Sequence, residues 1–212
     1  MDATLAPKKA LGKEKRGGKR FFSQPPILAE DLRRNYNGPM EKRYFSYQQI
    51  HATARSMAQR ISAANYKPDV IVAIGSGGFI PARILRTFLG APILAVGIAY
   101  YDVHDKPSQF PRKLQWIEEA ERQLAGRRIL LVDEVDDSRV TLEYCIRELL
   151  RHHPESIAVA VIHNKNKPKR GQIPSEVALY IAGEELGDVW IVYPWDAKDI
   201  EEHDTHTGQN QA

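Results

Sequence analysis

A single cysteine, Cys145, is all that 212 residues carry. No internal disulfide can form, so the fold rests on its core, and a reducing compartment such as the cytoplasm suits it. Cys145 itself sits inside a helical pattern and reads as a small core hydrophobe. No apolar run approaches the ~20 residues that a membrane-spanning helix needs, which excludes a membrane partner of that kind. Excess charge is scarce as well: a net +3 is too weak to imply nucleic acid. His104 stands alone, without metal-ligand spacing, and reads as a surface residue. A Gly-x-x-x-x-Gly-Lys-Ser/Thr loop is missing, which removes the Walker-type reading of any strand ending apolar-Asp-Glu.

What the chain does have is concentrated in one stretch, Ile129-Leu-Leu-Val-Asp-Glu-Val-Asp-Asp-Ser-Arg-Val-Thr141. Ile129 to Val132 is too short for a helix and rich in aliphatic side chains, as in a buried parallel strand. Asp133 and Glu134 follow at its carboxyl end, where open α/β sheets bind ligands. The turn Asp136-Asp137-Ser138-Arg139 then opens a helical pattern with Leu142, Ile146, Leu149 and Leu150 on one face. A helix N-terminus preceded by hydroxyl and amide donors suits an anion. The plainer alternative is an acidic first turn that complements a helix dipole.

Residues 1–40 read as a basic, disordered extension: Lys8, Lys9, Lys13, Lys15, Arg16, Lys19 and Arg20 crowd a stretch with few large apolar groups. A solvated tail is the default, with a nuclear or organelle address as alternatives. Ser46-Tyr-Gln-Gln49 is a capping-box pattern that opens a helix from about 46 to 64, with Ile50, Ala54, Met57 and Ile61 inward. Val70 to Ile74 is a buried-type strand ending in Gly75-Ser76-Gly77-Gly78, and Phe79 to Leu89 is the next helix. A Gly-rich turn between strand and helix lets backbone amides approach an anion closely.

Pro92 to Ala99 reads as a strand, and Tyr100 to Pro111 as a long loop of the kind that serves as a lid. Trp116, Ile117 and Leu124 suggest a short helix ended by Gly126. Ser156 to His163 is a strand that leads into a basic run, Asn164 to Gly171. Val177 to Ile181 and Val189 to Tyr193 read as short strands in a hairpin-like lobe, and a polar tail over 199–212 frays.

From about Tyr44 to Asp196 the chain resembles the type I phosphoribosyltransferases, above all the fungal hypoxanthine-guanine and xanthine enzymes and the bacterial xanthine-guanine enzymes. The motifs that carry the resemblance are the two acids with Asp137-Ser138-x-x-Thr141, the turn Gly77-Gly78-Phe79-Ile80-Pro81, and Trp190-x-x-x-Pro194-Trp195. It implies an α/β fold with a central parallel sheet flanked by helices, a catalytic domain over 41–198, and a small C-terminal hood lobe from about 164–196. It implies purine salvage: an oxo-purine (hypoxanthine, guanine or xanthine) and phosphoribosyl pyrophosphate (PRPP) give the nucleoside monophosphate and pyrophosphate. A PRPP- or nucleotide-sensing regulator of the same fold is the alternative. A pyrimidine enzyme leaves Lys165 and Trp190 without roles.

The site residues follow from the same resemblance. Asp133 and Glu134 would hold the ribose hydroxyls and Mg²⁺, the metal arriving largely with PRPP. Asp137, Ser138, Arg139, Val140 and Thr141 would hold the 5′-phosphate, with Asp137 also the general base. Gly75, Ser76, Gly77 and Gly78 would form the pyrophosphate loop, with a non-proline cis peptide around Gly75-Ser76. Bacterial relatives carry Arg where this chain has Ser76, and Arg83 or Arg86 could compensate. Many relatives carry Gly where this chain has Arg139, so a side chain there requires negative φ or strain. Lys165, or else Lys167, would contact the oxygen on carbon 6. Trp190 would stack on the purine, Ile191 would read its edge by backbone, and Trp195 would be structural. Family habit points to a homodimer or homotetramer.

Overall fold

The computed structural model describes residues 41–101 and 107–207. The extension over 1–40 and His104 lie outside the described residues. Six strands form the main sheet: β2 (Val70–Gly75), β3 (Ile93–Tyr101), β4 (Pro107–Gln115), β5 (Arg128–Asp136), β6 (Ser156–Lys165) and β7 (Val177–Leu186). Their spatial order is β4-β3-β2-β5-β6-β7, all parallel except β4, which runs antiparallel to β3. A two-stranded parallel ribbon pairs β1 (Lys42–Tyr44) with β8 (Trp190–Val192).

Among the described residues five α-helices accompany these strands: α1 (Tyr47–Ala63), α2 (Phe79–Leu89), α3 (Ala120–Leu124), α4 (Val140–Leu150) and α5 (Ile200–Thr207). Helix α1 starts where the sequence predicts: Ser46 Oγ accepts from Gln49 N, and the Gln49 side chain accepts from Ser46 N. The aliphatic stretches of the central strands are withdrawn from solvent, with Ile129, Leu130, Leu131 and Val132 all fully buried. Alternation along the strands splits the core in two. Leu130, Val132, Ala158 and Ala160 pack with Ile50, Met57 and Ile61 of α1. Ile129, Leu131, Ile157 and Val159 pack with Leu142, Ile146 and Leu149 of α4. Each of the Val, Leu, Ile and Met side chains contributes about 1.5–3 kcal/mol on burial.

The order of these strands fixes where a ligand binds. From β2 the chain winds outward to β3 and β4, then returns to place β5 on the other side of β2. Such a switch point opens a crevice at the carboxyl ends of the two strands. At their opposite ends Asp69 ties them together: it accepts from Arg128 N at 2.9 Å, Nε at 3.1 Å and the guanidinium terminus at 2.8 Å. Arg128 thereby holds the Asp69 carboxyl down at about 2.

Four expectations change. Of the stretch read as a lid-like loop from Tyr100 to Pro111, the described residues are strand, β3 running to Tyr101 and β4 starting at Pro107, and the remainder of that loop, 102–106, lies outside the described residues. Its prolines fit because β4 is an edge strand, where a missing N–H costs no ladder bond. The short helix covers only Ala120–Leu124, so Trp116 and Ile117 precede it. The two C-terminal strands form no hairpin: β7 joins the main sheet and β8 pairs with β1. The tail read as frayed holds α5, anchored by buried His203, whose Nε2 meets Phe45 O at 2.9 Å. Among the described residues no helix is long and apolar enough to cross a membrane.

Candidate active site

The crevice at the β2/β5 switch point has two lobes. One, of about 200 Å³, is lined by Asp133 through Arg139 together with Thr141 and Leu142. The other, of about 220 Å³, is lined by Glu134, Val135, Asp137, Lys165, Trp190, Ile191, Tyr193 and Asp196. Glu134, Val135 and Asp137 border both, so the acids at the end of β5 stand between an anion cradle and an aromatic slot.

Strand β5 carries both acids into the crevice. Asp133 accepts from the main-chain N–H of Glu134 at 2.9 Å, and Glu134 accepts from Trp195 Nε1 at 3.2 Å. Burial and the neighbouring Glu134 push the Asp133 carboxyl well above its ordinary range. Burial and Asp196 push Glu134 up to about 7, with the Trp195 hydrogen bond acting the other way. Two acids that resist ionisation side by side are short of positive charge. Among the described residues no group of three or more His, Cys, Asp or Glu could hold a metal alone. Two carboxylates facing an anion cradle fit Mg²⁺, which commonly binds through one or two carboxylates plus substrate phosphates.

The Gly-rich turn faces these acids. Gly75-Ser76 is a cis peptide, as the resemblance implies. Gly77 lies against Glu134: a Cβ there would stand 1.9 Å from the carboxyl carbon. Gly78 touches the strands themselves, where a Cβ would meet Val132 O at 2.6 Å and Ile74 O at 2.7 Å. Arg83, suggested with Arg86 to compensate for Ser76, donates to Thr87 on its own helix at 2.9 Å.

Asp137 to Arg139 form the bend into α4, and Val140 and Thr141 open the helix, whose first turn has no side-chain cap. Its amides are therefore open to an anion. Arg139 sits at φ 68°, not at the negative φ a side chain prefers. Its guanidinium is held by Asp136, Nε to Oδ2 at 2.8 Å, which compensates the strained conformation and occupies the charge expected to add to the phosphate site.

In the aromatic lobe, Lys165 ends β6 and is almost fully buried, with its Nζ 3.3 Å from Asp137 Oδ2. Lys167 bridges Asp137 and Asp188. Burial pulls its pKa down and the two carboxylates more than reverse this, leaving it raised. Lys165 lines the aromatic lobe, which favours it over Lys167 for contact with a base. Trp190 is 56% exposed and lines the aromatic lobe. Trp195 instead stacks on Tyr193 with centroids 4.5 Å apart and planes at 9°, and it supports Glu134. Tyr193 donates to Glu134 O at 3.2 Å and meets His163 Nδ1 at 2.8 Å. Burial holds His163 down at about 3, so it is neutral. Sequence reasoning did not single out Tyr193, Asp188 or Asp196. The run Tyr193-Pro194-Trp195-Asp196, three residues on from Trp190, was the signal available for two of them.

A crevice that pairs an anion cradle with an aromatic slot across two acids defines a protein that handles phosphorylated sugars and flat bases. The sequence matches the phosphoribosyl transferase domain family over residues 42–177, and the chain belongs to that family, in its type I purine branch. It is similar to the hypoxanthine-guanine phosphoribosyltransferase of Schizosaccharomyces pombe, 42% identical over 78% of this chain and 94% of that one. It is also similar to xanthine phosphoribosyltransferase 1 of Saccharomyces cerevisiae, 37% identical over 77% of this chain and 93% of that one. Among solved structures, a hypothetical protein from Neisseria gonorrhoeae with bound ppGpp is 43% identical, covering 82% of this chain and 99% of that one with TM-score 0.76. The purine phosphoribosyltransferase of Pyrococcus horikoshii is 28% identical, covering 76% and 97%, with TM-score 0.60.

Proposed function

We propose that the chain transfers the phosphoribosyl group of PRPP to hypoxanthine, guanine or xanthine, in a catalytic domain over 41–198. The observation that carries this reading is the shared wall of the two lobes: Asp137 borders both cradle and slot, with Lys165 beside it. The 5′-phosphate lies on Asp137 to Thr141, the ribose hydroxyls on Asp133 and Glu134, and the pyrophosphate against Gly75 to Gly78. Asp133 and Glu134 would also hold Mg²⁺ with the substrate phosphates; the ion would neutralise charge on the leaving pyrophosphate.

The purine enters against Trp190. Lys165 leaves its pair with Asp137 and donates to the oxygen on carbon 6, while the Ile191 main chain reads the base edge. The bond from carbon 1 of the ribose to pyrophosphate breaks and a bond from that carbon to the purine nitrogen forms. The proton that the purine loses passes to Asp137, a general base whose Oδ2 is released by Lys165 while Lys167 stays paired with Oδ1. Holding both reactants across one wall supplies the proximity that such a displacement needs.

Incubation with Mg²⁺, PRPP and each of hypoxanthine, guanine, xanthine and adenine tests the reading. Product from the oxo-purines and none from adenine is expected; no turnover with any base would overturn it. Asp137→Asn should cut kcat with PRPP affinity retained. The second reading, a nucleotide-sensing regulator, is favoured by the ppGpp-bound relative. Tight binding of PRPP or ppGpp with no turnover would establish it instead. The free thiol of Cys145 fits the cytoplasm. A symmetric dimer or tetramer is the assembly proposed, to be read by light scattering.

A further inference from the structure

Asp136 has no part in the reaction above, yet its side chain is among the most deeply buried acids of the described residues, 1% exposed. Its Oδ2 accepts from Arg139 Nε at 2.8 Å and from the Tyr180 hydroxyl at 2.7 Å. A second guanidinium nitrogen of Arg139 lies 2.8 Å from the same oxygen, and the guanidinium rests over the Tyr180 ring at 5.4 Å. Lys169 Nζ stands 3.5 Å from Oδ1, an ion-pair distance, and donates to the main-chain oxygens of Asp136 and of Asp137, the latter at 2.9 Å.

The connection between β6 and β7 grips the next carbonyl too. Arg170 N and Gly171 N both donate to Ser138 O at 3.1 Å. Gly171 lies so close that a Cβ would stand 2.5 Å from Arg139 O. Three successive carbonyls, of Asp136, Asp137 and Ser138, therefore point at this strap. In a planar trans peptide the N–H points opposite to the C=O. The N–H groups of Asp137, Ser138 and Arg139 accordingly point away from the strap.

We propose that Asp136, Arg139, Lys169 and Tyr180 form a positioning unit that aims the amides of the 138–141 bend at the 5′-phosphate. It does from outside what a glycine at position 139 would do by its own conformational freedom. Arg139 enters the left-handed region and is kept there by Asp136; Lys169 turns the carbonyls away from the anion. None of the four side chains need touch substrate; of these residues only Arg139 meets it, through its main-chain amide. The inference rests on the reading of 138–141 as the phosphate site.

Calorimetric titration of the full-length protein with PRPP and Mg²⁺ tests it, with the ligand-free melting temperature measured alongside. Lys169→Met should weaken PRPP by about tenfold, the lower end expected for lost charged hydrogen bonds, with the melting temperature little changed. Asp136→Val should weaken it at least as much, and the double variant Asp136→Val/Arg139→Gly should recover most of the loss. A general structural defect would not be rescued by the second change. Unaltered PRPP affinity in Lys169→Met, or a double variant no better than Asp136→Val, overturns the positioning role. Thr141→Val separates the two readings. If it leaves PRPP affinity intact, the phosphate site itself is misplaced; if it weakens PRPP while Lys169→Met does not, only the positioning unit fails.

Discussion

Replacing Glu134 by Gln should stabilise the ligand-free protein above neutral pH while reducing its activity. In the fold, burial and Asp196 raise this carboxyl from an ordinary 4.5 to about 7. Below 4.5 both folded and unfolded chains carry the proton, and the group contributes nothing to the balance. Between 4.5 and about 7 the unfolded chain ionises first, so stability falls as pH rises, and the full penalty is present above 7. At about 1.4 kcal/mol per pH unit the ceiling is about 3 kcal/mol, and water in the open crevice lowers it. Glutamine keeps an oxygen for Trp195 Nε1 and removes the charge. Urea unfolding of both proteins at pH 4, 6 and 8 should therefore give matching free energies at pH 4 and a gain for Glu134→Gln that grows to about 1–3 kcal/mol at pH 8. Because the Glu134 charge also lifts Asp133, that gain belongs to the pair. Parallel curves at all three values would refute the claim that this acid is held against its own ionisation.

Trp190→Ala should raise KM for the purine by roughly 5- to 150-fold, the range for losing one stacked base, with KM for PRPP nearly constant. An equal rise in both would place Trp190 outside the base slot. Gly77→Ala should displace the Glu134 carboxylate, because the new Cβ would overlap it. Steady-state kinetics should show a loss in kcat/KM for PRPP of about tenfold or more, with a nearly unchanged melting curve, since only the end of a flexible side chain has to move. Unaltered kinetics would show that Glu134 is not where the ribose binds.

The part of the molecule that was legible beforehand is the part governed by local rules. Four buried aliphatic residues followed by acids and a 3.6-residue period could form little else than β5, its bend and α4. The capping box at Ser46 did the same for α1. Elsewhere the local rules misled. Pro107 and Pro111 signal a break, yet an edge strand tolerates them, and which strand lies at an edge is a property of the whole sheet. Trp190 to Val192 looked ready to fold back on the preceding strand, but its partner is Lys42 to Tyr44, near the other end of the domain. Arg139 could be seen to lack glycine's freedom; what holds it could not, because Lys169 and Tyr180 reach Asp136 from distant segments.

The ribbon of β1 and β8 ties the edge of the aromatic slot to the very beginning of the domain. Trp190 N donates to Glu41 O at 2.8 Å, and Lys42 to Tyr44 run alongside Trp190 to Val192. A chain shortened to start after Tyr44 would keep every residue assigned to either substrate and still leave Trp190 without the neighbour that fixes its backbone. Trimming of the basic leader should therefore stop before Glu41, or base recognition will slacken even though no contact residue has been removed.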